Sequence, residues 1–192
     1  NGFGKDLNLL LHKLENKKSK KIDALKINGI FSVNVSGVGF DGAVAHSFEK
    51  TANRGFLNYI QATVKTFFSF KHIEVKFGES DYQKFNGNYL MLNIANTRQF
   101  GNNAFIAPQA RLDDGRFEIA LVRRFPLYAA PKFAFDLFTK HLEKNRYIRY
   151  ISAAKATFTV DTDQWHIDGD VYRISSPIHV EVWPQCMSIL VD

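Results

Sequence analysis

The chain has 192 residues, 45% of them apolar, with 18 Phe and a formal net charge of +6. Such a composition supplies a substantial buried core and excludes an intrinsically disordered polypeptide. One cysteine, Cys186, excludes an internal disulfide and points to a reducing compartment, and no apolar run reaches the ~20 residues of a membrane-spanning helix.

The charge is uneven, because residues 1–27 carry seven Lys against three Asp/Glu. Leu7, Leu10, Leu11 and Leu14 recur at helical spacing and predict a helix over 5–15. The run "KKSKK" (17–21) ends it, as a solvated loop or as an attractor of anionic headgroups or polyphosphate. No aromatic residues interleave with that run, so a nucleic-acid partner is not expected. "IFSVNVSGVGF" (30–40) alternates like a strand and ends in glycines that permit close backbone approach. A short helix is expected over 43–50. A second, over 56–70, repeats apolar residues at 56/57, 60, 64 and 67/68. Short β-prone runs then dominate: 73–77, 89–95, 117–122, 149–152, 156–160, 164–167, 171–174, 179–182 and 188–191. A further helix is expected over 128–142, with Pro131 in its first turn. The fold class is α+β and mostly β: a two-layer, β-sandwich-like domain with two or three packed helices.

Three Asp-Gly pairs punctuate the chain, at 41–42, 114–115 and 168–169. Turn chemistry accounts for an Asp-Gly pair without any further role. The third lies in "WHIDGDVYRI", a hairpin pattern whose exposed tip carries Asp168 and Asp170 one residue apart. The six histidines show no metal-ligand spacing. Neither a Gly-x-Ser-x-Gly elbow nor a phosphate-binding Gly-rich loop is present.

Three blocks then fall in a telling order: "FSVNVSGVGFDGAV", "NIANTRQFGNNAFIAPQARLDDGRFEIALV" and "IDGDVYRISSPIHVEVWPQCMSILV". Together they resemble the C-terminal half of the diacylglycerol kinase/sphingosine kinase lipid-kinase family of bacterial type, over about 30–192. The middle block is the most specific, combining Asn96, Gly101, Pro108, Asp114, Gly115 and Phe117. The resemblance implies an NAD kinase/diacylglycerol kinase C-terminal-domain-like fold. It also implies that ATP phosphorylates the hydroxyl of diacylglycerol or a related lipid alcohol.

By the same resemblance, Asp168 is the base that takes the hydroxyl proton. Asp170 stands where the family usually has Glu, one methylene shorter. Asp114 with the carbonyls of Arg111 and Arg116 would hold Mg2+, and Asp41 and Asn96 would face the substrate cleft. Asn1 and Gly2 would be the tail of a nucleotide-binding loop. Residues 1–29 would then be the remnant of a nucleotide-binding domain (a helix and a basic linker), 30–192 the substrate-side domain, and this stretch alone inactive. The implied setting is cytoplasmic and peripheral to the inner face of the membrane, with a homodimer as a further option. Two alternatives stand beside it. One is a non-catalytic module binding lipid or a partner; the other is a soluble-substrate kinase related to NAD kinase.

Overall fold

The computed structural model describes residue 11, residues 19–43, residue 67 and residues 69–190. Helices expected over 5–15, 43–50 and 56–70 fall almost wholly outside these residues, as do Asn1 and Gly2; Leu11, Phe67 and Ser69 are helical.

Among the described residues, twelve strands make two antiparallel sheets of six. The first sheet has the order β2 (Ile30–Ser32), β1 (Ser19–Ile27), β12 (Ile178–Leu190), β9 (Lys155–Val160), β4 (Ile73–Phe77), β5 (Gly87–Tyr89). The second runs β11 (Asp170–Arg173), β10 (Gln164–Ile167), β3 (Val35–Gly39), β6 (Met91–Ala95), β7 (Phe117–Val122), β8 (Ile148–Ala153). The sheets face each other across a core of residues such as Leu25, Ile27, Val75, Leu92, Ile94, Phe117, Phe158 and Trp165, all at most 1% exposed. Each large apolar side chain buried this way is worth about 1.5–3 kcal/mol.

Strand composition follows from which faces are covered. β4 alternates buried and exposed, as one solvated face demands. β3, β6 and β7 are buried at every position, because a second apolar cluster covers the outer face of their sheet. That cluster holds Val35, Met91, Ala120, Val122, Phe125, Leu142 and Phe133, the last from helix α1 (Ala130–Phe138). Pro131 sits in the first turn of α1, where its missing N–H costs nothing. At the other end Lys140 adopts φ 64°, and the His141 N–H reaches back to the Asp136 carbonyl at 2.9 Å, a left-handed cap that stops the helix. The α+β, sandwich-like reading is what the chain adopts.

Three local expectations are corrected. Ser19–Ile27, expected within a basic linker, forms β1: Ile22, Ala24, Leu25 and Ile27 are buried while Lys20 and Lys21 stay out. A boundary at 29/30 therefore falls in the tight turn between two paired strands of one sheet. The run 179–182 and the described part of the run 188–191 are one strand, β12, which carries Pro184 through an irregularity where Gln185 takes φ 49°. The run 30–40 breaks at Val33–Asn34, giving β2 and β3.

Candidate functional site

Along β3, β6 and β10, side chains alternate between the inter-sheet core and the outer face. Cross-strand register aligns His166 with Gly37 and Gly37 with Asn93, next to Ala120 on the outer face. Asp41 lies on the helical turn 40–43 that follows β3 and turns its carboxylate onto this row. Its Oδ2 accepts hydrogen bonds from the Asn93 side-chain amide and from His166 Nε2, the latter at 3.0 Å, and its Oδ1 accepts the Gly42 N–H at 2.8 Å. The ring of Phe100 lies 6.3 Å from that of His166. Gly37 is what allows the approach: a Cβ there would collide with the Asp41 carboxylate and the Asn93 amide and come within 2.8 Å of His166 Nε2.

Burial of the His166 imidazole works to lower its pKa. The hydrogen bond and charge of Asp41, and then the charge of Asp168, outweigh that, leaving the ring above the usual histidine range. His166 Nδ1 and Asn93 Oδ1 are buried and have no hydrogen-bond partner among the described residues.

Asp168 stands at the exposed tip of the β10–β11 hairpin with φ 52°, a conformation Asp tolerates better than most residues. Its carboxylate clamps the turn between β2 and β3. Oδ1 accepts from Ser32 Oγ at 2.8 Å and the Asn34 N–H at 3.0 Å, and Oδ2 accepts from the Val33 N–H at 2.8 Å. An ionised carboxylate offers about four acceptor positions, so room for one more donor remains at Oδ2. Asp170 opens β11 opposite Ile167 and is exposed.

Asn96 was expected at a cleft surface, but it is fully buried. Its side-chain amide donates to the Asp23 carbonyl at 2.9 Å and the Val33 carbonyl at 3.1 Å, so it braces the same turn that Asp168 clamps. Buried carbonyls need donors, and here an internal amide supplies them. Asp23, 1% exposed, extends the network: its Oδ2 accepts the Gly115 N–H and its Oδ1 the Gln185 N–H, both at 2.8 Å. One chain of contacts thus runs from the Asp168 tip to the Asp114-Gly115 turn.

In that turn Asp114 is exposed and its Oδ1 takes the Arg116 N–H at 3.0 Å. No group of three His, Cys, Asp or Glu side chains converges among the described residues. Asp114 suits magnesium as a single hard oxygen donor to an ion that keeps most of its water. Beside it, Asp113 pairs with Lys20 at 2.7 Å and Arg111 at 3.5 Å, and those cations pull its carboxyl below the ordinary range, the Lys20 hydrogen bond most. A groove of about 560 Å³ opens next to these residues, lined by Lys20, Asn34, Thr97, Arg98, Gln99 and Arg111 among others.

The sequence profile described as "YegS C-terminal NAD kinase beta sandwich-like domain" matches residues 34–191. The chain belongs to that family. A Pseudomonas aeruginosa member, "Probable lipid kinase YegS-like", is 27% identical over 111 residues, covering 57% of this chain and 36% of its own length. A Staphylococcus haemolyticus protein, also named for lipid kinase activity, is 25% identical over 204 residues, covering 99% of this chain and 64% of itself. The chain thus spans less than two-thirds of these relatives. Among solved structures, a diacylglycerol kinase from Bacillus anthracis superposes with a TM-score of 0.67 at 13% identity, over 100% of this chain and 61% of that one. Membership of the YegS C-terminal family and this shared fold bear out the resemblance to the bacterial lipid kinases.

Within the family frame, Asp23, Asn93, His166 and Ser32 are the residues that motif reading passes over. Their signal is a polar residue at a buried strand position, visible only once the strands are paired.

Proposed function

We propose that the chain is the substrate-side domain of an ATP-dependent lipid kinase, acting on the hydroxyl of diacylglycerol or a related lipid alcohol. The observation that carries this reading is the family match over 34–191 together with the Asp168 carboxylate held at an exposed tip with acceptor capacity to spare. A lipid hydroxyl donating to Asp168 Oδ2 would lose its proton there as its oxygen bonds the γ-phosphorus and the β–γ bridging bond breaks. Because the clamp fixes the carboxylate before substrate arrives, little ordering is left for the reaction itself. The nearby groove adds Lys20, Arg98 and Arg111, cations suited to phosphate charge. When magnesium is bound, Asp114 and the carbonyls of Arg111 and Arg116 would hold it, and the ion would stiffen the turn that Asp23 anchors. The residues that hold ATP belong, in this reading, to the part of the relatives this chain does not span.

A second reading is a non-catalytic module, favoured by the fact that the Asp168 clamp is already a structural role. Phosphate transfer from ATP to diacylglycerol in mixed micelles, measured on the protein with its ATP-holding region, separates the two. The kinase reading expects Asp168→Asn to cut kcat at least a hundredfold with the fold intact. No transfer above background by the parent would leave the module, and equal, measurable rates for parent and variant would remove Asp168 from the reaction.

A further inference from the structure

Helix α1 presents aromatic side chains to solvent where a surface helix ordinarily presents polar ones. Its buried side carries Phe133 and Asp136. On the opposite side Phe135 is 65% exposed and Phe138 54%, and in the turn just before the helix Leu127 is 53% and Tyr128 79% exposed. Within the helix, residues 131, 132, 135 and 138 fall within about a third of the circumference, and Leu127 and Tyr128 stand in the 3-10 turn that leads into it. Aromatic side chains therefore stand on both sides of the helix, and only Phe133 is accounted for by the core. Contiguous exposed apolar patches of this kind mark interaction sites.

Charge surrounds the patch. On and just after α1, residues 130–146 hold Lys132, Lys140, Lys144 and Arg146 against Asp136 and Glu143. One of the acids, Asp136, is buried and already paired with Lys132 at 2.9 Å. Lys132, Lys140, Lys144 and Arg146 are exposed around the aromatic residues. Arg146 donates to the Tyr147 hydroxyl at 2.6 Å, and its charge also interacts with Tyr128.

We propose that α1 and the turn before it form the docking surface for an anionic lipid bilayer. The aromatic rings enter the boundary between headgroups and acyl chains, and the surrounding cations meet the headgroup phosphates. The charge argues against self-association through this face, because two copies would set Lys140, Lys144 and Arg146 against one another. The position is also apt. The Phe105 N–H donates to the Leu137 carbonyl of α1 at 2.9 Å, and the same loop carries Phe100, which covers His166. The docking face and the Asp41–His166 row thus share the outer side of one sheet.

This deepens the lipid-kinase reading and rests on it only for what the bilayer supplies; vesicle binding is measured without catalysis. Flotation with vesicles of phosphatidylcholine alone, and with phosphatidylcholine containing 30 mol% phosphatidylglycerol, is compared for the parent, for Phe135→Ser/Phe138→Ser, and for Phe31→Ser on the other sheet. The expected result is binding to the anionic vesicles that falls roughly tenfold or more in the α1 double variant and is unchanged in Phe31→Ser. Preference for anionic over neutral vesicles should shrink in Lys140→Gln/Lys144→Gln. Circular dichroism confirms that each variant folds. Equal binding by parent and α1 variant, or none by the parent, overturns the proposal; so does a parent dimer that the α1 variant converts to monomer. If vesicles bind as expected but no lipid is phosphorylated, the docking surface stands and the kinase reading falls.

Discussion

Replacing Gly37 by alanine inserts a methyl group into the tightest polar contact of the outer face. The backbone of Gly37 is not in the left-handed region, so by conformational entropy alone the change would stabilise the fold by about 0.4–1 kcal/mol. Sterics reverse the sign. The added Cβ collides with the Asp41 carboxylate and the Asn93 amide and reaches 2.8 Å from His166 Nε2. None of these is the loose end of a flexible chain, since Asn93 is fully buried and the His166 side chain is 8% exposed. Accommodating the methyl group means parting Asp41 from its two side-chain donors, and hydrogen bonds to a charged group are worth about 1.5–3 kcal/mol each. The net expectation is a loss of about 2–5 kcal/mol, a large part of a typical domain's stability. Urea unfolding followed by far-UV circular dichroism should show a midpoint lower by about 1–2 M with an unchanged slope. In an Asn93→Ala background, where room has been made, the same substitution should cost at least about 1 kcal/mol less. A Gly37→Ala protein as stable as the parent would show that the row is not packed as described.

The Asp41–His166 pair gives a pH signature. The folded-state pKa of His166 is raised, so its protonated form adds stability that is complete below the unfolded value of about 6.5 and is lost as pH rises through the folded value. An NMR titration should place the His166 midpoint above about 6.5 in the parent and lower in Asp41→Asn; an unmoved midpoint would acquit Asp41 as the cause. Asp23→Ala should cost about 2–4 kcal/mol in thermal unfolding, because the Gly115 and Gln185 amides lose a charged acceptor. The same variant should speed hydrogen exchange at those two amides, and unchanged exchange there would refute the assignment.

Strands with a clear pattern were legible in the sequence: 73–77, 117–122 and 164–167 form as the alternation or apolar run indicates. β1 was not, because Lys20, Lys21, Asp23 and Lys26 disguise a strand whose inward positions are apolar and whose one inward carboxylate is satisfied by distant amides. β12 was divided by Pro184, whose missing N–H falls where the ladder is already irregular. In the site, the Asp168 turn was evident from Asp-Gly chemistry, yet its clamp on residues 32–34 spans more than 130 positions and has no local signature. The Asp41, Asn93 and His166 row is likewise assembled by strand pairing across 52 and 125 positions. Motif spacing reads neighbours along the chain; these groups are neighbours only across a sheet.

The pairing of β1 with β12 joins Ser19 to Leu190, the first described strand to the last. These partners are separated by most of the described residues, so the nascent chain carries an unmated β1 edge until the ribosome has made β12. Tethering so distant a pair is slow, and the exposed edge invites neighbouring polypeptides meanwhile. Trimming the final strand should therefore strand β1 and harm soluble yield far more than its length alone suggests.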